Sequence, residues 1–151
     1  MPMREQDGQP SRPSAAEAAL LAIADPSAES HISLIGPNTL ELLCALLRRG
    51  SVDVSATRIC DWPQAGTANV AIIPGAPSPD HLRRSIAHAR RVLTPLGTVA
   101  IHLAASPADA LTQQASQLLL LHGFASIRKV GYAGGTLIHA ELPLHGSLAC
   151  A

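Results

Sequence analysis

The sequence predicts a three-layer α/β domain built on a mostly parallel sheet of about six strands. Three observations carry this expectation. Short β-branched runs alternate with amphipathic segments of helical length. Cap signals open those segments. The last two strand-like runs are joined through Ala133-Gly134-Gly135, a turn that makes an antiparallel hairpin.

Residues 1–13 are polar and contain three prolines, so they are expected to form a disordered lead-in to one domain over 14–151. Ser14-Ala15-Ala16-Glu17 is a capping box, in which serine and glutamate satisfy free amides at a helix start. Its alanine-rich helix should run to Ala24, where Asp25-Pro26 stops it. His31–Ile35 is a strand ended by Gly36-Pro37. Asn38, with Glu41 three residues on, is a second capping signal before a helix over Thr39–Arg49. Helical spacing puts Leu40, Leu43, Cys44 and Leu47 on one face, with Cys44 expected as a small buried hydrophobe.

Val52–Ile59 is the next strand and closes a βαβ unit, whose crossover should be right-handed. Cys60–Thr67 is short and turn-rich. Asn69–Ile73 is almost wholly apolar, as a strand buried on both faces must be. Ser78-Pro79-Asp80 then caps a helix that buries Leu82, Ile86, Ala89 and Leu93 and exposes its arginines. Thr98–Leu103 is a strand, and Ser106-Pro107-Ala108-Asp109 repeats the cap before a helix ending near Gly123. Ala125–Gly131 and Thr136–Leu142 are the two arms of the hairpin.

Composition narrows the function classes. Hydrophobic residues make up 47% of the 151 residues but aromatics only 2%, so the core must be packed from Ala, Leu, Val and Ile. Trp62, Phe124 and Tyr132 are the only rings of that kind able to stack on a base. Eleven basic side chains balance eleven acidic ones, which argues against nucleic acid as a partner. The pairs Arg48-Arg49, Arg83-Arg84 and Arg90-Arg91 are expected on solvated helix faces. Cys44, Cys60 and Cys150 lack zinc-type spacing. His81 and His88 share a helix face but stand about 10 Å apart by helix rise, too far for one metal ion. No metal site is expected. No apolar run reaches the ~18 residues of a membrane span, so the expectation is a cytoplasmic protein that does not enter the membrane.

Several of these segments, in order, resemble class I S-adenosylmethionine-dependent methyltransferases, with their Rossmann-like fold, over residues 30–145. Leu34-Ile35-Gly36, followed by a helix closing at Arg48-Arg49-Gly50, resembles the family's first motif. Leu93-Thr94-Pro95-Leu96-Gly97 before an apolar run resembles the L-x-P-G-G turn into its fifth strand. His122-Gly123-Phe124 resembles the step into the sixth strand, and the hairpin resembles the reversed seventh.

The resemblance implies a cofactor loop after the first strand with glycines at alternate positions. Only Gly36 matches. Asn38 and Leu40 stand at the next two positions, with Pro37 between, so β-carbons crowd the approach and one amide donor is lost. The family's ribose-binding acid, at the end of the second strand, falls on Thr57. Asp53 lies four residues earlier and reads as an exposed strand residue. The helix and third strand that the family has next shrink to nine residues here, Cys60–Ala68, with Trp62 as the sole candidate adenine platform. Pro74-Gly75-Ala76-Pro77 replaces a polar segment that elsewhere in the family orients an acceptor.

Two expectations follow. One is a methyltransferase-like domain without catalysis or cofactor, acting as a binding or oligomerisation module. The other is a divergent enzyme that binds S-adenosylmethionine or another nucleotide through Gly36, Asn38, Thr57 and Gly75. A dehydrogenase is disfavoured, because G-x-G-x-x-G keeps only its first glycine at Gly36. The sheet edge left by the missing third strand is expected to be open to pairing with a second copy.

Overall fold

A computed structural model describes residues 14–37, 39–59 and 64–144. The lead-in over 1–13, Asn38, Cys60, Trp62 and Cys150 lie outside the described residues.

Helix α1 (Ala15–Ala24) opens with the full capping box: the Glu17 amide donates to Ser14 Oγ at 3.2 Å, and the Ser14 amide donates to Glu17 Oε2 at 3.3 Å. Strand β1 (His31–Ile35) leads to helix α2 (Leu40–Arg48) and strand β2 (Asp53–Thr57). After a crossover come β3 (Ala68–Ile73), α3 (Pro79–Val92), β4 (Leu93–Leu103), α4 (Ala110–Leu121), β5 (Ala125–Tyr132) and β6 (Gly135–Glu141). All six expected strands and four expected helices are present.

The six strands form one sheet in the order β2-β1-β3-β4-β6-β5. The first four are mutually parallel, and β6 runs antiparallel to both β4 and β5. This is the expected Rossmann-like three-layer fold with a reversed strand near its C-terminal end. One layer packs α1 and α2 on Ile32, Leu34, Val70, Ile72 and Ala100. The other packs α3 and α4 on Ile35, Ile73, Val99, Ile101 and Ile138. Alternate residues of each strand enter opposite layers, as the two-residue period requires.

The structure moves four local expectations, three of them at helices. Helix α4 is capped by Asp109, which accepts the Leu111 amide at 2.9 Å, and not by Ser106. Ser106 instead closes a turn that accepts the Asp109 amide, so the proline after it belongs to that turn. The residue at the cap position of α2 is Thr39, which makes no side-chain cap bond. The third change is a rotation of α2. It buries Leu42, Ala45 and Leu46, while Leu40 and Leu47 are 69% and 52% exposed and Cys44 is half-buried. Leucine lies on both sides of this helix, so spacing alone does not say which stripe meets the sheet.

Strand β4 begins at Leu93, five residues ahead of the expected Thr98, so the L-x-P-G-G-like turn is part of the strand. There Leu96, where the pattern has a glycine, adopts φ +67°. At the hairpin, Gly135 (φ +138°) sits so close to β4 that a β-carbon would lie 2.1 Å from the Leu103 carbonyl oxygen. Only glycine permits that approach.

Candidate functional site

In an open parallel sheet, a crevice forms at the carboxyl ends of two neighbouring strands whose connections leave in opposite directions. Here those strands are β1 and β3: from β1 the chain goes to β2 at one edge, and from β3 to β4 on the other side. The loops after them, starting at Gly36-Pro37 and Pro74-Gly75, form the walls.

Among the described residues two openings border the crevice, and Pro37 lines both. The smaller, about 270 Å³, is bordered by Gly36, Thr39, Leu40, Ala56, Thr57 and Arg58. The larger, about 510 Å³, lies between Pro74, Gly75, Ala76 and Pro77 on one side and Ser14, Glu17 and Leu20 of the α1 region on another, with His102 among its lining residues. Gly36 and Thr57, both expected at a ligand pocket, therefore share one opening, and Gly75 stands in the other. Asn38 lies outside the described residues.

Gly36 is buried, with φ +122°, and its amide donates to the Thr57 carbonyl at 3.0 Å. Its bare face meets α3: a β-carbon there would lie 3.7 Å from His81 Cε1. His81 sits in the first turn of α3, whose start is set by Ser78 Oγ accepting the His81 amide at 3.1 Å. The inner face of this helix carries a polar row. His81 Nδ1 and Ser85 Oγ are 3.3 Å apart, and His88 Nε2 is 3.1 Å from Thr57 Oγ1. The Thr57 hydroxyl also reaches the Leu34 carbonyl at 3.5 Å. Outside this row, Asp80 in the same first turn accepts a hydrogen bond from Arg83 and forms an ion pair with Arg84. The Arg83 bond, aided by the charges of Arg84, Arg83 and His81 and against desolvation, holds its carboxyl below the usual value.

His102 and Tyr132 escaped the sequence reading as site residues. His102 Nδ1 lies 3.3 Å from the Pro74 carbonyl, and Nε2 lies 2.6 Å from the Tyr132 hydroxyl. A carbonyl only accepts, so Nδ1 carries the proton and Nε2 accepts from the phenol. The pair ties the hairpin to the loop after β3 and gives the larger opening a fixed polar wall. The signal for His102 was its place near the carboxyl end of a buried strand. Tyr132 had none, because its partner comes from 30 residues away.

Asp53 is exposed at the start of β2 and pairs with His31, at the end of the strand away from the crevice. Among the described residues no three His, Cys, Asp or Glu side chains converge as a metal site would require. No helix among them is long and apolar enough to cross a membrane.

No protein-family model and no curated protein matches the chain. Solved structures do. A SAM-dependent O-methyltransferase from Thermotoga maritima superposes with a TM-score of 0.63 at 13% identity, over 88% of this chain and 66% of that one. Human N-acetylserotonin methyltransferase in complex with SAM gives 0.60 at 13% identity, over 85% of this chain and 52% of that one. A second SAM-dependent methyltransferase from Thermotoga maritima gives 0.58 at 13% identity, over 84% of this chain and 88% of that one. This chain thus spans most of one neighbour, about two thirds of another and about half of the third. It has the class I methyltransferase fold.

Proposed function

We propose that this chain is a methyltransferase-fold domain without catalytic activity, serving as a binding or oligomerisation module in the cytoplasm. One observation carries the reading: the His81 imidazole lies against the bare face of Gly36. In the family that glycine is exposed so that a nucleoside can rest on main chain. Here the side chain nearest that face is His81, whose Cε1 lies 3.7 Å from where a β-carbon would stand.

The neighbouring groups fit the same reading. Thr57, at the position of the family's ribose-binding acid, offers one hydroxyl, already within hydrogen-bond distance of His88. A threonine cannot accept two ribose hydroxyls as a carboxylate does. Among the described residues bordering the smaller opening none is acidic, and Arg58 is basic. Pro37 stands where both openings meet. The described residues of the opening therefore argue against S-adenosylmethionine, and no transfer step is assigned to them.

The second reading, a divergent S-adenosylmethionine or nucleotide enzyme, draws on the larger opening, where Gly75 and the oriented His102 face about 510 Å³ of space. Calorimetric titration with S-adenosylmethionine and with its demethylated product separates the two. The expected outcome is no saturable heat. Binding with a dissociation constant below about 100 μM, near −5.5 kcal/mol, would overturn the proposal. In that event His81→Ala should tighten it if the imidazole competes for the space.

A further inference from the structure

Strand β2 is the edge of the sheet, and the helix beside it carries an uncovered apolar stripe. The geometry points to a symmetric dimer in which β2 pairs antiparallel with β2 of a second copy, α2 packing on its counterpart above the joined sheet. This inference is independent of whether the crevice holds a ligand.

The backbone selects the register. The Thr57 carbonyl accepts from Gly36, next to β1, so it points inward. Hydrogen-bonding groups alternate sides along a strand, which turns those of Val54 and Ala56 outward. A two-fold axis at Ser55 sets Val54 opposite Ala56 of the second copy, and the reverse, so each pair exchanges both of its bonds. The side chains agree. Val54 packs toward α1 and α2, so Val52, Val54 and Ala56 share that face and Asp53, Ser55 and Thr57 the other. Antiparallel pairing about Ser55 joins Val54 to Ala56 under the helices and Asp53 to Thr57 on the polar face. No like charges meet.

Helix α2 is self-complementary about the same axis. Leu40 and Leu47 are two turns apart on one stripe with half-buried Leu43 and Cys44 between, and Val52 beyond is 83% exposed. Antiparallel packing sets Leu40 against Leu47 of the second copy and brings the two Cys44 together at the centre. Glu41 in the first turn then faces Arg48 in the last turn of the partner helix. The buried face of α2, Leu42, Ala45 and Leu46, shares one core cluster with Ile32 and Leu34 of β1, and Val54 of β2 packs against it, which leaves the opposite stripe free for a partner helix.

Sedimentation equilibrium of the full chain should give twice the monomer mass, with a concentration-dependent transition. Ala56→Pro removes an outward amide, as edge strands tolerate, and should weaken the dimer at least tenfold. Arg48→Glu should weaken it by setting like charges together, and Glu41→Arg with Arg48→Glu should restore it. In a Cys60→Ser, Cys150→Ser background, a short bismaleimide should join two chains through Cys44. Circular dichroism of each variant distinguishes dissociation from unfolding. A monomer up to about 1 mM, a dissociation constant no tighter than about −4 kcal/mol, overturns the inference. So does a dimer indifferent to folded Ala56→Pro and Arg48→Glu.

Discussion

The two halves of the sheet are built to different standards. In β3 and β4, Val70–Ile73 and Val99–Leu103 are buried without interruption, and Ile138 and Ala140 of β6 continue that core. In β2 no residue is fully buried, no described strand pairs with its outer edge, and the helix before it shows leucines to solvent. The first half is covered by helices on both faces. In the second half α3 reaches β1 and β2, with His88 Nε2 3.1 Å from Thr57 Oγ1, and the Gly66 and Thr67 amides ahead of β3 donate to the Arg91 and Val92 carbonyls. The difference teaches that the core lies in β1, β3, β4 and β6, and that β2 is joined to it along one edge only among the described residues.

The largest test of that division lies at the hairpin. Gly135→Ala adds a β-carbon that would sit 2.1 Å from the Leu103 oxygen. Left-handed strain of about 1–3 kcal/mol adds to that clash, and urea unfolding should show a loss above ~3 kcal/mol. Survival of wild-type stability would mean the hairpin tip is not pinned to β4. Next, Ile101→Ala should cost about 2–5 kcal/mol, against about 1 kcal/mol for Val54→Ala in the edge strand. Equal losses would break the comparison.

The rotation of α2 gives a sharper contrast within one helix. At dilutions where the chain is monomeric, Leu42→Ala should lose about 2–4 kcal/mol and Leu47→Ala no more than about 0.5 kcal/mol. The reverse order would put the expected stripe, not the observed one, in the core. A smaller gain is expected at Leu96, which is 64% exposed with φ +67°. Leu96→Gly relieves left-handed strain worth about 1–2 kcal/mol and returns part of it in chain entropy. A net rise of about 0.5 kcal/mol should appear as a higher urea midpoint.

The smallest effect concerns pH. Burial, and then the charge of Arg128, hold the His139 imidazole below its ordinary pKa, against the opposing pull of Glu141. As pH falls through about 6.5 the unfolded chain takes up this proton before the folded one does. Stability contributed by the neutral ring is therefore lost on acidification below that value, down to the folded-state pKa. His139→Gln should flatten the slope of urea midpoints between pH 7.5 and 5, and an unchanged slope would assign it to other groups.

Sequence alone determined the elements and their order, because each is written in local terms. The Ser14–Glu17 box, the Ser78-Pro79 cap, the apolar run of β3 and the glycines of the hairpin act over a few residues. It also placed Gly36 and Thr57 at strand ends. Tertiary structure decided what those residues face. Whether Gly36 meets open space or His81 depends on how α3 docks, and His102 joins Tyr132 only once the hairpin folds onto β4. The stripe of α2 that became core was likewise chosen by packing, since leucines on both sides left hydrophobicity indifferent between them. Local signals set the path of the backbone; contacts between distant segments set the chemistry at its strand ends.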